Sequence, residues 1–207
     1  MIFPSFTLHT LILVITVLLS LNAMNKEDVK NKMMFIPYLC KTDGQMYRVF
    51  SHLFIHSDFQ HLAFNMISFY SLGQSLEFQL MQFYGVLQGE IYFGVLYFLG
   101  GLFATVIPYS RNHDNPYYRS LGASGAVSAV VFAFVIWNPI ANGFSVMGIP
   151  MQPWFFGIIY LAFEFYADKK GNTGIAHDAH IGGAIFGIIF ILMINLEKGI
   201  NILNLVF

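Results

Sequence analysis

An all-α integral membrane protein, built as a bundle of six transmembrane helices, is the fold class that this sequence predicts. Of its 207 residues, 57% are hydrophobic, 17% are aromatic and only 10% are charged, whereas an ordinary soluble domain has about 25% charged residues. A water-soluble fold of this size could not cover its surface with so few charged side chains. Several uncharged stretches also approach the roughly 20 residues that a helix needs to cross a bilayer.

The same composition excludes other classes of protein. Ten Lys and Arg residues are balanced by eleven Asp and Glu residues, so the chain lacks the basic excess of a nucleic-acid-binding protein. Its hydrophobic content excludes intrinsic disorder. The single cysteine excludes a disulfide framework and a cysteine-based zinc site. We expect a lipid bilayer as the surroundings, with no cofactor and no nucleic acid.

Six spans in one domain, covering residues 1–207, are predicted from the uncharged runs. Residues 120–163 carry no charged side chain, and this run is too long for one crossing. The Asn and Pro residues between 138 and 153 divide it into two helices. Residues 1–24 are interpreted as a span, although a cleaved signal peptide without the usual basic start is an alternative. The predicted spans are 6–24, 59–77, 90–108, 122–137, 151–167 and 179–196.

Polar side chains inside these spans are candidates for function, because burying them in lipid is costly. His61 and Asn65 are four residues apart and share one helix face. Asp58 stands where a helix N-cap is expected. The His61/Asn65 pair is interpreted either as hydrogen-bond donors at a reaction site or as polar contacts between helices.

The fourth span begins with a serine between small residues, Gly122-Ala-Ser124-Gly125. The first turn of a helix offers free backbone N–H groups and the positive end of the helix dipole, which can hold an oxyanion. The neighbouring glycines allow another backbone or a substrate to approach closely. Small residues at a packing interface are the structural alternative.

The sixth span begins with His180, three residues before the Gly183-x-x-x-Gly187 stripe. Such a stripe brings a partner helix to close range. If that partner is the Ser124 helix, His180 Nε2 can reach the serine oxygen and act as its base. Asp178 projects from another helix face and Glu164 is expected to snorkel to the membrane surface. The pattern therefore favours a Ser–His dyad without an orienting carboxylate.

The order and spacing of these motifs resemble the rhomboid family of intramembrane serine proteases. The similarity extends from about Met46 to Gly187 and includes several motifs in the order of the family. They are Tyr47-Arg48, Phe54-Ile-His56, His61-x-x-x-Asn65, Gly73…Leu76-Glu77, Gly122-Ala-Ser124-Gly125 and Ala179-His180-x-x-Gly183-x-x-x-Gly187.

The resemblance implies a serine endopeptidase that cuts transmembrane segments of other membrane proteins. Ser124 would be the nucleophile and His180 the base, with His61, Asn65 and the Ser124 N–H as the oxyanion hole. Residues 25–57 would form a partly membrane-embedded loop beside the site. Phe64 would line a substrate gate between the second and fifth helices, facing Phe163. Arg48 and Glu77 would have structural roles.

Alternatives remain for the chemistry and for the function. His177 is a rival for the base, and Cys40 is a rival nucleophile that has no base to activate it. A metal site at His52, His56 and His61 is disfavoured because no complete ligand motif is present. A catalytically silent relative that binds transmembrane helices is the main functional alternative. A proton-conducting channel or transporter is a further one.

The distribution of positive charge and the family resemblance predict opposite membrane orientations. Nine of the ten Lys and Arg residues lie in 26–48, 111–119 and 169–170, on one side of a six-span bundle. The positive-inside rule places this side, and the mouth of the site, in the cytoplasm. Resemblance to bacterial rhomboids implies an inner-membrane protein whose site opens to the exterior, and we follow the resemblance.

Overall fold

Helices dominate the computed structural model, which describes residues 6–171 and 174–206, with side chains up to residue 201. A single two-stranded hairpin accompanies them in this part of the chain. The expectation of one domain over 1–207 also includes residues 1–5, 172–173 and 207, which lie outside the described residues.

The elements follow one another with short connections. The first half of the chain contains α1 (Leu8–Asn25), α2 (Glu27–Met33), α3 (Pro37–Thr42), α4 (Arg48–Ser51), a 3₁₀ turn (His52–Phe54), α5 (Phe59–Ser68), a π-helical turn (Phe69–Gly73) and α6 (Gln74–Tyr84). The second half contains α7 (Val86–Ala104), α8 (Val106–Asn112), α9 (Ser124–Trp137), β1 (Ser145–Val146), β2 (Ile149–Pro150), α10 (Pro153–Lys170), α11 (His177–Ile194) and α12 (Leu196–Val206).

Three of the described helical segments are long and apolar enough to cross a membrane by length and composition. They are Leu8–Asn25, Val86–Asn112 and His177–Ile194. The other predicted spans differ from this simple pattern for physical reasons. A π-helical turn interrupts the second one, the fourth has only 14 residues, and α10 carries four charged side chains.

Helix α9 forms the centre of the bundle. Every residue from Gly125 to Trp137 is buried, and its sequence is apolar all round, as expected for a helix enclosed by others. Side chains of α7, α10 and α11 pack around it. The N-terminal end of this enclosed helix carries Ser124, so the bundle core fixes the position of the candidate nucleophile.

The predicted small-residue stripe of α11 lies against α9. A Cβ atom added to Gly183 would collide with the Gly125 carbonyl oxygen, and one added to Gly187 would collide with the Ala129 carbonyl oxygen. Only glycine allows the two backbones to approach so closely. The partner of this stripe is therefore the Ser124 helix, which is the condition under which the sequence allows His180 to act as the base of the serine.

Two buried charged groups cap helix ends. Glu77 is 1% exposed and accepts a 2.9 Å hydrogen bond from the backbone N–H of His9, in the first turn of α1. Arg48 donates 2.8 Å hydrogen bonds to the carbonyls of Asn31 and Met34, at the end of α2. Both side chains satisfy backbone groups that a helix terminus leaves without partners.

Candidate active site

Ser124 is the first residue of α9, and its side chain is half-buried. In the described part of the chain, the backbone N–H of Val127 bonds to the carbonyl of Ala123 and begins the helical ladder. The N–H groups of the preceding residues in this turn consequently point out of the helix end. Among the residues that the structure describes, the Ser124 hydroxyl has no hydrogen-bond partner, so it is free to meet a substrate.

The segment between α1 and α5 fixes the loop that precedes Ser124, through Ser120, Gly122 and Ala123. Ser120 and Phe35 exchange backbone hydrogen bonds of 2.9 and 3.0 Å. The N–H of Gly122 donates to the His52 carbonyl at 3.0 Å. These bonds hold residues 120–123, the nucleophile loop, from segments that lie 70 and 85 residues earlier in the chain. The expectation that residues 25–57 lie beside the site is met in this respect.

His56 adds a third bond to the same loop, and its role was missed in the sequence. Its Nε2 accepts a 3.3 Å hydrogen bond from the Ala123 N–H, while its Nδ1 lies 2.8 Å from the Ser20 hydroxyl oxygen. Ser20 donates its own proton to the Phe54 carbonyl, so Nδ1 carries the proton of the neutral ring. Burial lowers the pKa of His56 to about 3, which keeps the ring neutral.

His61 lies against the nucleophile loop. A Cβ atom on Gly122 would approach its Cε1 to 2.8 Å and its Nε2 to 2.9 Å. Gly122 also has a φ of +126°, which favours glycine. The ring is therefore in contact with the backbone two residues before Ser124, and glycine at 122 makes that contact possible.

Two neighbours hold the His61 segment. Asp58 accepts the His61 backbone N–H at 2.8 Å, so its predicted N-cap role is confirmed. Ser57 donates to Asp58 Oδ2 at 2.6 Å and lies 3.1 Å from His61 Nδ1. Because the Ser57 proton is committed to Asp58, His61 Nδ1–H donates to the Ser57 oxygen.

Asn65 lies one helical turn beyond His61, and its side chain is buried. Its Nδ2 donates a 3.0 Å hydrogen bond to the His61 carbonyl. A primary amide has two N–H groups, so one donor remains. Asn65, His61 and Ser124 all line the same cavity.

That cavity has a volume of about 1530 Å³ and runs between α5 and α10, with α9 as its floor. His180 also lines it. Phe64 on α5 and Phe163 on α10 line its two sides and are 55% and 58% exposed. The cavity brings together every residue predicted for the site, although no hydrogen bond joins Ser124 to His180 among the described residues. Catalytic contacts of this kind often tighten only when substrate is bound.

The environment of His180 differs from the prediction. Glu164 of α10 is buried, and its Oε1 lies 3.0 Å from His180 Nδ1. The other oxygen, Oε2, lies 2.6 Å from Nδ1 of His177. The expectation that Glu164 snorkels to the membrane surface is wrong, because two imidazole groups satisfy its carboxylate inside the bundle.

Asp178 is engaged elsewhere. Its Oδ2 accepts a 3.3 Å hydrogen bond from Arg111, and its Oδ1 accepts the Ala179 N–H. Arg111 also binds Asp168 through two hydrogen bonds of 2.8 and 3.2 Å. The Asp178 carboxylate thus has its described bonds with Arg111 and with its own helix end, and none of them reaches His180.

Two rival assignments from the sequence can be placed. Cys40 is buried and its Sγ lies 3.4 Å from the Gln45 carbonyl; burial raises the pKa of its thiol, which disfavours the nucleophilic thiolate. His52 donates from Nδ1 to the Arg48 carbonyl, and within the described part of the chain His52, His56 and His61 do not form a cluster of metal-ligand atoms. A different set, Glu164, His177 and His180, has ligand atoms within 4.8 Å of one another.

Comparison with known proteins decides the family. A family model described as the Rhomboid domain matches residues 43–196. The chain belongs to the rhomboid family. A curated relative, the RHOMBOID-like protein 12, mitochondrial, of Arabidopsis thaliana, is 27% identical over 151 residues. This match covers 68% of the chain and 44% of that relative, so it spans less than half of the relative's length.

Membership of the rhomboid family confirms the resemblance drawn from the motifs and establishes a membrane protein. The sequence nevertheless indicates no contact at the site for two residues of this rhomboid. They are Glu164, which bonds to His180, and His56, which bonds to Ala123. Glu164 stands 16 residues before His180 on another helix, and His56 stands 67 residues before Ala123. The signal for Glu164 was an ionisable group in an apolar run, and the signal for His56 was its place in the Phe54-Ile-His56 motif.

Proposed function

We propose that this rhomboid is a serine endopeptidase that cleaves transmembrane segments of other membrane proteins. The observation that carries the proposal is the meeting of α9 and α11 in backbone contact, with Ser124 and His180 on one cavity. Ser124 is the nucleophile and His180 is the general base, a Ser–His dyad. A nucleophile at a helix N-terminus beside a histidine is the arrangement that acyl transfer requires.

The reaction follows from these groups. Ser124 Oγ attacks the carbonyl carbon of the scissile peptide bond while His180 Nε2 takes the hydroxyl proton. The tetrahedral intermediate then collapses, the C–N bond breaks, and His180 gives the proton to the leaving amine. Water attacks the acyl-enzyme in the same way, again with His180 as base. Ser124 is regenerated and the second product leaves as a carboxylic acid.

The oxyanion hole consists of the Ser124 N–H, the Asn65 amide and the His61 ring. Support comes from the free N–H groups at the start of α9 and from the contact of His61 with Gly122. His61 donates from Nε2 as a neutral ring when the Ser57 hydroxyl turns from Asp58 and donates to His61 Nδ1 instead. A donor aimed at the developing oxyanion stabilises the transition state.

The substrate enters between α5 and α10, with Phe64 and Phe163 at the gate. Both side chains are large, apolar, exposed and on opposite sides of the cavity. An exposed apolar entrance suits a segment that arrives from lipid. The partners are therefore transmembrane protein substrates, with the lipid bilayer as the route of entry.

Six helices cross the membrane as one domain in this proposal. They are α1, α5 with α6, α7, α9, α10 and α11. The packing of α7, α10 and α11 around α9 supports this count, because a 14-residue helix enclosed by protein does not itself have to meet lipid along its length.

The proposed location is the bacterial inner membrane, with the site open to the exterior. Lys41 binds Asp114 at 2.6 Å and Arg111 binds Asp168, so the three basic segments share the end that carries Ser124. Residues 27–54 form helices α2, α3, α4 and a 3₁₀ turn. The positive-inside rule applies to short loops between spans, whereas longer folded segments of this kind cross the membrane largely regardless of their charge. Alkaline phosphatase and fluorescent-protein fusions after position 114 distinguish the two orientations.

Cleavage of a reporter transmembrane substrate in proteoliposomes tests the proposed function. Wild-type protein is expected to release both products, and Ser124→Ala is expected to keep only a residual rate, lower by about 10⁶-fold, with the wild-type melting temperature. Ser128→Ala is the matched control, because Ser128 lies one turn further along α9 and bonds to the Tyr160 hydroxyl at 2.9 Å. Equal cleavage by Ser124→Ala and wild type would exclude the proposal in favour of another nucleophile. Binding of the substrate without cleavage by wild type would favour a catalytically silent relative.

A further inference from the structure

The Glu164 carboxylate lies between two histidine rings in the interior of the bundle. Its side chain is 5% exposed, and those of His177 and His180 are 4% and 14% exposed. The hydrogen bonds that the Nδ1–H groups of His177 and His180 donate to the carboxylate measure 2.6 and 3.0 Å. Each carboxylate oxygen therefore serves a different histidine.

The chemistry of these contacts fixes the tautomer of His180. An ionised carboxylate is an acceptor only, so the Nδ1 atom that bonds to it must carry a proton. In the neutral ring the Nε2 atom then keeps its lone pair. This is the tautomer that can take the proton of a serine hydroxyl.

His177 determines where the carboxylate can point. It stands three residues before His180 on α11, so the two rings lie on the same helix face. Its Nε2 is buried and has no hydrogen-bond partner among the described residues. Its bond to Oε2 leaves Oε1 as the atom that faces His180. A carboxylate held on both sides has little freedom to rotate away.

We infer that Glu164 is a positioning residue, which holds the His180 ring in the tautomer and orientation of a general base. This inference rests on the proposed function, and it adds a buried carboxylate behind the Ser–His dyad. Glu164 contacts His180 and not the reacting atoms, so its effect on the reaction passes through that ring. His177 supports the carboxylate and is not itself the base.

The same three side chains also have the composition of a zinc site with an open position. The hydrogen bonds favour the positioning role, because they use the two Nδ1 atoms and separate carboxylate oxygens. The two roles make different predictions. A ligand set needs the metal for activity, whereas a positioning carboxylate works in the presence of a chelator.

The test compares Glu164→Gln and Glu164→Asp with Asp168→Asn as the matched control. Asp168 is a carboxylate one turn further along α10 that bonds to Arg111. We expect kcat of Glu164→Gln to fall by about tenfold or more, with KM unchanged. The upper limit is the loss of about 10⁴ that a triad shows when its acid loses its charge. Glu164→Asp keeps the charge and should retain more activity than Glu164→Gln. Asp168→Asn should keep wild-type kcat.

A double-mutant cycle separates positioning from a general effect on stability. In a His180→Ala background, Glu164→Gln should cause no further loss of the residual rate, because its only route to the reaction has been removed. All rates are compared at equal folded fraction, measured by the melting temperature of each variant. If Glu164→Gln does not fold, Glu164→Asp tests the contact instead, because its side chain is one methylene shorter and withdraws the carboxylate from His180 Nδ1; kcat should then fall below the wild-type value.

The outcomes distinguish the inference from the function on which it rests. Wild-type kcat in folded Glu164→Gln or Glu164→Asp would overturn the inference and leave the protease intact. The inference would also be overturned if Glu164→Gln lowered the residual rate of His180→Ala by the same factor as it lowers the wild-type rate. Loss of wild-type activity on chelation, with recovery on adding zinc, would replace it with a metal site. Failure of the wild-type protein to cleave substrate or to react with a serine-directed probe would instead refute the proposed function.

Discussion

The backbone of Gly125, the residue after Ser124, lies directly against Gly183 of α11. A Cβ atom at position 183 has no room beside the Gly125 carbonyl. This contact sets the separation between the helix that carries the candidate nucleophile and the helix that carries the candidate base. His180 lies one turn before Gly183, so a change in helix separation moves the base relative to Ser124.

Gly183→Val is expected to separate α9 from α11 and to abolish cleavage. Overpacking a close contact typically costs about 1–3 kcal/mol of stability, so the melting temperature should fall as well. Ile189→Ala on the same helix is the control, since Ile189 is 44% exposed and should have little effect on cleavage. Wild-type activity and melting temperature in Gly183→Val would show that the two backbones do not meet as described.

His180→Ala is expected to reduce the cleavage rate as severely as Ser124→Ala. Members of one catalytic unit are non-additive, so the double variant should be little worse than either single one. His177→Ala should have a milder effect than His180→Ala, because it loosens the Glu164 carboxylate but removes neither the carboxylate nor the base. Rates of reporter cleavage for these variants provide the measurement. Full activity in His180→Ala with none in His177→Ala would reverse the assignment of the base.

Asn65→Ala is expected to lower kcat by about 10²–10³, the cost of removing one donor from an oxyanion hole. The melting temperature should fall little, because hydrogen bonds between membrane helices average about 0.6 kcal/mol. His61→Ala should behave similarly, and the double variant should lose less than the product of the two effects. Turnover and melting temperature are measured on the same samples. Activity that only follows the folded fraction would make the pair a packing contact.

Asp178→Asn is expected to keep most of the wild-type activity. The Asp178 carboxylate bonds to Arg111 and to the start of α11, and Arg111 retains its two bonds to Asp168 without it. A kinetic comparison with Glu164→Gln shows which carboxylate matters to His180. A loss of about 10⁴ in rate for Asp178→Asn, as in a triad that loses its acid charge, would assign the orienting role to Asp178.

Acid is expected to destabilise the segment that holds the nucleophile loop. Burial lowers the pKa of His52 to about 4 and that of His56 to about 3, from an ordinary 6.5. The unfolded chain therefore binds protons below about pH 6.5 that the folded chain excludes, and stability falls as the pH falls towards these values. The melting temperature should decrease from about pH 7 to about pH 5. The decrease should be smaller in His52→Gln, and an equal decrease would contradict this cause.

The sequence predicted the parts of the site that depend on local patterns. The glycines around Ser124 at the start of a span indicate a candidate nucleophile, and the glycine stripe that follows His180 indicates a candidate base. Asp58 was identified as a cap from its position alone. Each of these signals lies within a few residues of the side chain concerned, where helical spacing is informative.

Contacts between segments that are far apart in the sequence could not be predicted from such local patterns. From the sequence, Glu164 is a charged residue near the end of a span. The residues next to it in the sequence do not indicate that its side chain faces α11 and bonds to His180. The bonds from His52 and His56 to the loop before Ser124 join segments about 70 residues apart. Span ends also shifted by a few residues, because caps and a π-helical turn set them rather than hydropathy.

Labelling with a fluorophosphonate, followed by mass spectrometry of the adduct, tests the assignment of the nucleophile most directly. The purified protein in detergent is expected to carry one phosphonyl group on Ser124. Ser124→Ala should take up none, and Ser128→Ala should be labelled like the wild type. An adduct on another residue, or equal labelling of Ser124→Ala, would contradict the assignment of Ser124 as the nucleophile.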